Sequence, residues 1–268
     1  MYPILFSIGS FHLYSFSVFL IVAWCVFSFL FWKLLRSSAI PEERIFDLTF
    51  YTTIVSLITS RLVFVSLHFS LFEKNILRAV ALWVQPGLSL YGALFGGVLT
   101  IVLLSRRYKV RVGHVLDSLA LPLLGALMIG ALGALLDGSE VGLVAKIPWA
   151  VRYVGHIGNR HPIGAYEIGI FALLTILLWF LQKRAQLRQW PYGLIGICFF
   201  LLFSLSMFGI EFFKDTTVLW KSLGANQWIL LIFIAESLGA LYVRGGGRAL
   251  ARTIARKIIN LLIKRRSS

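Results

Sequence analysis

Few charged side chains interrupt the apolar runs of this chain, and those few are the ones able to do chemistry. Arg61 stands inside "ITSRLVFV". Asp137 and Glu140 close the glycine-stepped run "MIGALGALLDGSEVG". Glu167 follows "HPIGAY", and Glu211 falls in "GIEFFKD". A guanidinium within a bilayer is costly without a partner, and its planar fork of donors suits a phosphate through paired hydrogen bonds. Carboxylates near it can hold or pass a proton. Each also has a plainer reading, a structural pair or a group snorkelling to the interface. Asp117 and Glu236 lie apart from the others and read as structural.

Other side chains could join such a site. Tyr91, in "PGLSLYGALFGG", can donate a hydrogen bond into a cavity, and Gly92, Gly96 and Gly97 let a backbone or a lipid headgroup come close. The stretch "RYVGHIGNRHPIGAYE" gathers Arg152, His156, Arg160 and His161, with Pro162 and Gly164 ahead of Tyr166 and Glu167. Two histidines do not make a metal site, and no metal or cofactor is expected. Cys25 and Cys198 sit in apolar runs without ligand spacing, so neither a disulfide framework nor a metal site follows.

The elements that must position these groups are membrane spans. Of 268 residues 59% are hydrophobic and only 14% charged, whereas a soluble domain has about a quarter charged. Several runs reach the roughly 20 residues that cross a bilayer. Seven spans are expected, near 12–32, 46–68, 88–105, 114–136, 165–182, 192–213 and 225–243. The expected class is all-α, a polytopic seven-helix domain over 1–244 followed by a basic tail over 245–268. No cleavable signal peptide is evident, because Lys33 and Arg36 follow the first apolar run.

Net charge is +15, which in a soluble protein would suggest nucleic acid. Here it reports sidedness and attraction to anionic headgroups instead, and nucleic acid is not an expected partner. The first, third and fifth connections and the tail hold 18 of the 26 Lys and Arg residues. The positive-inside rule then puts the N-terminus outside and the tail in the cytoplasm. Arg61, Asp137, Glu140, His161, Glu167 and Glu211 all fall toward the outer side. In the tail, Arg248, Arg252 and Arg256 share one helical face and Ile254, Ile258, Leu261 and Leu262 largely another, the pattern of an amphipathic helix on the membrane surface.

In order along nearly its whole length, the chain resembles the prolipoprotein diacylglyceryl transferases. "FSIGSFHLYSF" is similar to the family's N-terminal segment, with Tyr14 on its Tyr. "SRLVFV" is similar to its Gly-Arg-aliphatic stretch, with Arg61 on the Arg. "GLSLYGALFGG", "GNRHPIGAYE" and "IEFFKD" resemble its Ser-Phe-His-Gly-Gly, Arg-His-Pro-x-x-x-Tyr-Glu and Glu-Phe-x-Arg regions. The family signature Gly-Arg-x-Gly-Asn-x-x-Asn-Gly-Glu meets "GALGALLDGSEVG", so Ala131 replaces its Arg and Ala134 its first Asn. Asp137 replaces the second Asn, and Ser139 takes the Glu position unless a one-residue shift gives it to Glu140. Gly130, Gly133, Gly138 and Gly142 keep the pattern. The family's third-span His is Tyr91, and its Arg one turn before the sixth-span Glu is Met207.

The resemblance implies an enzyme of the bacterial cytoplasmic (inner) membrane, with phosphatidylglycerol or another anionic phospholipid and a lipoprotein precursor peptide as partners. A diacylglyceryl group passes to a cysteine thiol, a thioether forms and glycerol phosphate leaves. That chemistry needs a thiolate, since a free thiol with a pKa near ~8.5 is mostly protonated at neutral pH, and donors that hold the leaving phosphate. On this reading Tyr91, Glu140, His161 and Glu211 are the candidate catalytic residues. Arg61, Tyr14, Asp137, Gly138, Gly142, Arg160, Tyr166 and Glu167 are the candidate lipid-binding ones. Because alanine and methionine cannot hold a phosphate, the alternative is an impaired relative that binds phospholipid or precursor without turnover. An unrelated seven-span receptor or transporter is the third reading. The last span has Glu236 and no lysine, so a retinal Schiff base has no place there.

Overall fold

Hydrocarbon offers the backbone no hydrogen-bond partners, so apolar runs of this length close their bonds internally as helices. A computed structural model describes residues 2–8, 11–82, 84–215 and 219–246. It contains α1 (Ser15–Arg36), α2 (Glu42–Leu67), α3 (Leu90–Arg107), α4 (Val112–Asp137), α5 (Ile163–Leu187), α6 (Leu194–Glu211) and α7 (Ala225–Arg244). All seven are long and apolar enough to cross a membrane. They coincide with the expected spans, with ends shifted by up to five residues. Basic residues end α1, α3, α5 and α7, where the helix dipole favours them, so one face of the bundle is ringed by cations.

The helices do not pack as a simple ring. α1 lies along α4, and α2 along α3, while α1 and α2 meet only sparsely, as do α3 and α4. Small residues permit the close pairings. A side chain on Gly133 would strike Phe19 of α1, and one on Gly92 would strike the Thr59 carbonyl of α2. The two pairs therefore stand apart, and a cavity opens between them. A buried cluster of Phe31, Leu35, Ile45, Leu48, Ile101 and Val115 closes the bundle toward the basic face. A second core, centred on Leu124, Phe171, Phe199, Phe203 and Met207, joins α4, α5 and α6.

The other face carries the long connections, and these add strands that the apolar periodicity did not suggest. β1 (Ile4–Ile8) and β2 (Phe11–Tyr14) form an antiparallel hairpin ahead of α1. The first span thus starts at Ser15 rather than near residue 12. Tyr2 N–H donates to the Leu136 carbonyl and Ser15 N–H to that of Pro3, which ties the hairpin to the end of α4. β3 (Val151–Arg152) pairs with β4 (Asn159–Arg160), and β5 (Leu219–Trp220) with β6 (Leu223–Gly224). The expected surface helix of the tail lies at 247–268, outside the described residues.

Candidate functional site

α4 runs unbroken through "GALGALLD" because the two alanines leave nothing polar to interrupt it. Ala131 and Ala134 are buried and line the cavity between the helix pairs. Gly138 stops the helix in the left-handed region, φ 78°, where glycine carries no side-chain penalty. The chain then runs extended as the middle of three short segments. On one side Leu143 N–H donates to the Phe213 carbonyl, and Asp215 N–H to that of Val141. On the other, His161 N–H donates to the Leu143 carbonyl, and Ala145 N–H to that of Asn159. This ladder fixes Glu140, Lys214 and His161 relative to one another.

Lys214 is the centre of what results. Its Nζ lies 2.8 Å from Glu140 Oε2, 2.9 Å from Glu167 Oε1 and 3.6 Å from Glu211 Oε1. Tyr91 Oη donates to Glu211 Oε1 at 3.0 Å, and Asn226 Nδ2 lies 3.4 Å from Glu211 Oε2. Five elements converge here: α3, the α4–α5 connection, α5, α6 with the segment after it, and the start of α7. Burial alone would push the Glu140 carboxyl up, but the Lys214 ammonium outweighs it and holds the group below the usual carboxylate range. Burial alone would pull the Lys214 amine down, but Glu140 and Glu167 outweigh that and hold it protonated well above the usual lysine value.

The cluster caps the cavity between the helix pairs, whose volume is about 510 Å³. Tyr91, Glu140, Glu167, Glu211, Lys214 and Asn226 all line it. Below them the walls are mainly apolar, with Phe16, Trp24 and Phe27 of α1 facing Leu94 and Ile101 of α3. From Phe16 to Phe27 a helix rises ~16 Å, so the cavity reaches well into the apolar layer. Such a space suits an amphiphile, with its chains among the helices and its polar head at the charged cap.

The remaining candidates are placed around this site rather than in it. Arg61 is buried, yet all three guanidinium nitrogens donate to loop carbonyls: Nε to Ala79 at 2.7 Å, Nη1 to Gly87 at 2.8 Å and Nη2 to Arg78 at 2.9 Å. It also packs over the Phe64 and Phe72 rings and does not line the cavity. The cation expected in the pocket is therefore supplied by Lys214, and Arg61 instead secures the α2–α3 connection that leads into Tyr91. Arg160 Nη1 donates to Asp215 Oδ2 at 2.7 Å and to the Gly142 carbonyl at 3.1 Å, bracing the ladder from outside. Tyr166 Oη accepts from Trp149 Nε1 at 2.9 Å and lies 3.0 Å from His161 Nδ1. Tyr14 ends β2 half-exposed, and it, Asp137, Gly138, Gly142, Arg160, His161 and Tyr166 lie outside the cavity lining.

Sequence reasoning missed Lys214 and Asn226. Lys214 had a signal, since it follows Glu211 by three residues, the spacing that brings two side chains to one face. By sequence alone it reads as one more cation of the connection between the sixth and seventh spans. Asn226 opens an apolar helix like many interfacial asparagines and carried none. Asp117 fits its structural reading. Its carboxylate accepts from Gly193 N–H at 2.6 Å and Gly196 N–H at 2.8 Å, at the start of α6.

Residues 3–243 match the family described as prolipoprotein diacylglyceryl transferase. Relatives named phosphatidylglycerol–prolipoprotein diacylglyceryl transferase include one from Wolbachia pipientis subsp. Culex pipiens, 25% identical over 90% of this chain and 96% of its own length. One from Ligilactobacillus salivarius is 25% identical over 78% of this chain and 80% of its own. One from Rhizobium meliloti is 30% identical over 53% of this chain, and there the match spans only about half of the relative, 51%. These relatives are bacterial, and the seven apolar helices make the protein a multi-pass protein of the bacterial cytoplasmic membrane. On the strength of a match that runs from the first hairpin to the last helix, the chain belongs to the prolipoprotein diacylglyceryl transferase family.

Proposed function

We propose that the protein transfers a diacylglyceryl group from phosphatidylglycerol to the cysteine thiol of a lipoprotein precursor, with the charged face of the bundle outside the membrane and the basic face in the cytoplasm. The observation that carries this is one cavity whose apolar length ends on an ammonium among carboxylates. In this reading the acyl chains lie between the α1/α4 and α2/α3 pairs. The thiol gives its proton to Glu211, the cap carboxylate farthest from Lys214, while Glu140 holds the ammonium in place. The thiolate attacks the glyceryl carbon that bears the phosphate ester. The C–S bond forms as the C–O bond breaks, and glycerol phosphate leaves with the electron pair. Lys214 faces the charge that collects on the leaving phosphate, the role that preorganised donors fill in such displacements. Tyr91, through its hydrogen bond, holds Glu211 in place. Arg61, Arg160, His161, Tyr166 and the Gly138 and Gly142 backbones position the loops that carry the cap.

One feature favours the second reading, binding without turnover. Lys214 already answers three carboxylates, and the buried positions of Ala131 and Met207 hold no second cation. One assay separates the two. Purified protein is given phosphatidylglycerol and a peptide with a lipoprotein-type cysteine, and the peptide mass is read. A gain of one diacylglyceryl unit is expected, lost in Lys214→Met. Bound lipid with no adduct would overturn the transferase reading and leave the binding one.

A further inference from the structure

The basic face holds a second depression, about 610 Å³ in volume, far from the charged cap. Three arginines from three elements line it: Arg106 at the end of α3, Arg111 between α3 and α4, and Arg244 at the end of α7. Val112, Gly113, Pro191 and Tyr192 complete its walls. The elements approach closely because Gly113 and Gly193 leave room. A side chain on either would meet Arg244 Nη1 at 2.9 Å. Arg244 Nη1 donates to the Tyr192 carbonyl, and the Arg111 guanidinium lies 5.5 Å from the Tyr192 ring centre.

Among the described residues, none of the three arginines has a carboxylate within ion-pair distance, and no Asp or Glu lines the depression. Asp117, which lies beside Gly193, is already engaged by the Gly193 and Gly196 N–H groups. Residues 247–268 contain no Asp or Glu either. Three guanidinium groups thus share one recess on the basic face, and among the described residues no carboxylate pairs with them. Like charges so gathered repel unless an anion sits between them.

We propose that this recess binds the phosphodiester of an anionic phospholipid from the leaflet at the basic face, as a site separate from the reaction cavity. Guanidinium groups match phosphate oxygens through paired hydrogen bonds, and basic pockets between helix ends are suited to anionic headgroups. Val112 and Pro191 offer an apolar shoulder for the glycerol and upper chain. A lipid held here would bridge α3, α4, the α5–α6 connection and α7, and so hold the basic end of the bundle together.

The test uses the full chain in nanodiscs of phosphatidylcholine with a minority of phosphatidylserine, an anionic lipid other than the family's donor. Lipid retained after detergent extraction is counted by native mass spectrometry. Arg106→Gln/Arg111→Gln leaves the Arg244–Tyr192 bond in place, so the fold keeps that tie. The control, Lys183→Gln/Arg184→Gln, removes equal charge from the same face outside the recess. Retained phosphatidylserine should fall roughly fivefold for each arginine removed from the recess and little in the control. Equal losses in the two variants would show a diffuse surface field and overturn the proposal, as would no loss in either. A third arm offers inorganic phosphate to protein in phosphatidylcholine alone. Arginine-dependent thermal stabilisation by phosphate, without retained phosphatidylserine, would overturn the lipid assignment in favour of a soluble anion.

Discussion

Lys214 and Arg61 exchange the roles that residue type alone would give them. A buried arginine reads as a ligand-binding cation, but three loop carbonyls take its donors, and the lysine of a connection becomes the cation of the cavity. Arg61→Ala should therefore act as a structural lesion. Buried carbonyls left without donors cost about 1–3 kcal/mol each, so the melting temperature should fall clearly whether or not lipid is present. A normal melt with selectively weaker lipid binding would return Arg61 to the headgroup. Lys214 sets the pH behaviour. Its raised pKa means that its stabilisation is complete below the ordinary lysine value and lost only as pH rises past the folded value. Glu140, held low, stabilises fully above the ordinary carboxylate value of 4.5, and that stabilisation fades as pH falls through the lower folded value. Wild-type stability from this pair should be flat through neutral pH. Lys214→Met leaves the carboxylates uncompensated, at a cost of about 3–5 kcal/mol, and the variant should regain stability on acidification as they protonate. A variant equally stable at every pH would remove Lys214 from the centre of the cap. Arg61, Glu140, Glu167 and Glu211 were all visible in the sequence as charges out of place. Which of them meet was not, because that depends on the segment after Gly138 pairing both with a neighbour some 14 to 18 residues on and with one 70 to 74 residues on.

At the level of elements, the seven helices were legible because hydrocarbon leaves an apolar run no other fold. The hairpin of β1 and β2 was hidden by its own apolar residues, which blend into the first span. The pairing of α1 with α4 and of α2 with α3 was hidden too, since each helix is apolar on most sides and no stripe marks the contact face. Glycines mark it instead. A side chain at Gly92 would meet the Thr59 carbonyl at 2.8 Å and Val63 Cβ at 2.8 Å, and that backbone has little room to yield. Gly92→Val should push α2 from α3, destabilise the protein by about 1–3 kcal/mol and displace Tyr91 from Glu211. Melting and lipid-binding measurements check this. Unchanged values in both would mean that the two helices are not tightly seated. The signature segment teaches the same lesson. With Ala131 and Ala134 in place of polar residues, "GALGALLD" turns small apolar side chains toward the cavity, while Gly133 seats α4 against α1.

For the molecule as a whole, the proposed sidedness rests on the charge of the connections, with the basic ends of α1, α3, α5 and α7 on the face assigned to the cytoplasm. A cysteine placed at Ile157, which is 91% exposed in the α4–α5 connection, should react with a membrane-impermeant maleimide on intact cells. One at Arg188 should react only after lysis. The reverse pattern would invert the proposed topology and put the cap in the cytoplasm. One consequence follows from the ladder that carries Lys214. Lys214 stands on an edge segment of that ladder, its backbone paired with Gly142, and three carboxylates hold its ammonium at the top of the cavity. On the proposed reading the cap then serves as a ruler's zero: a headgroup must rise to that mark, and acyl tails of different lengths hang below it at no cost to alignment.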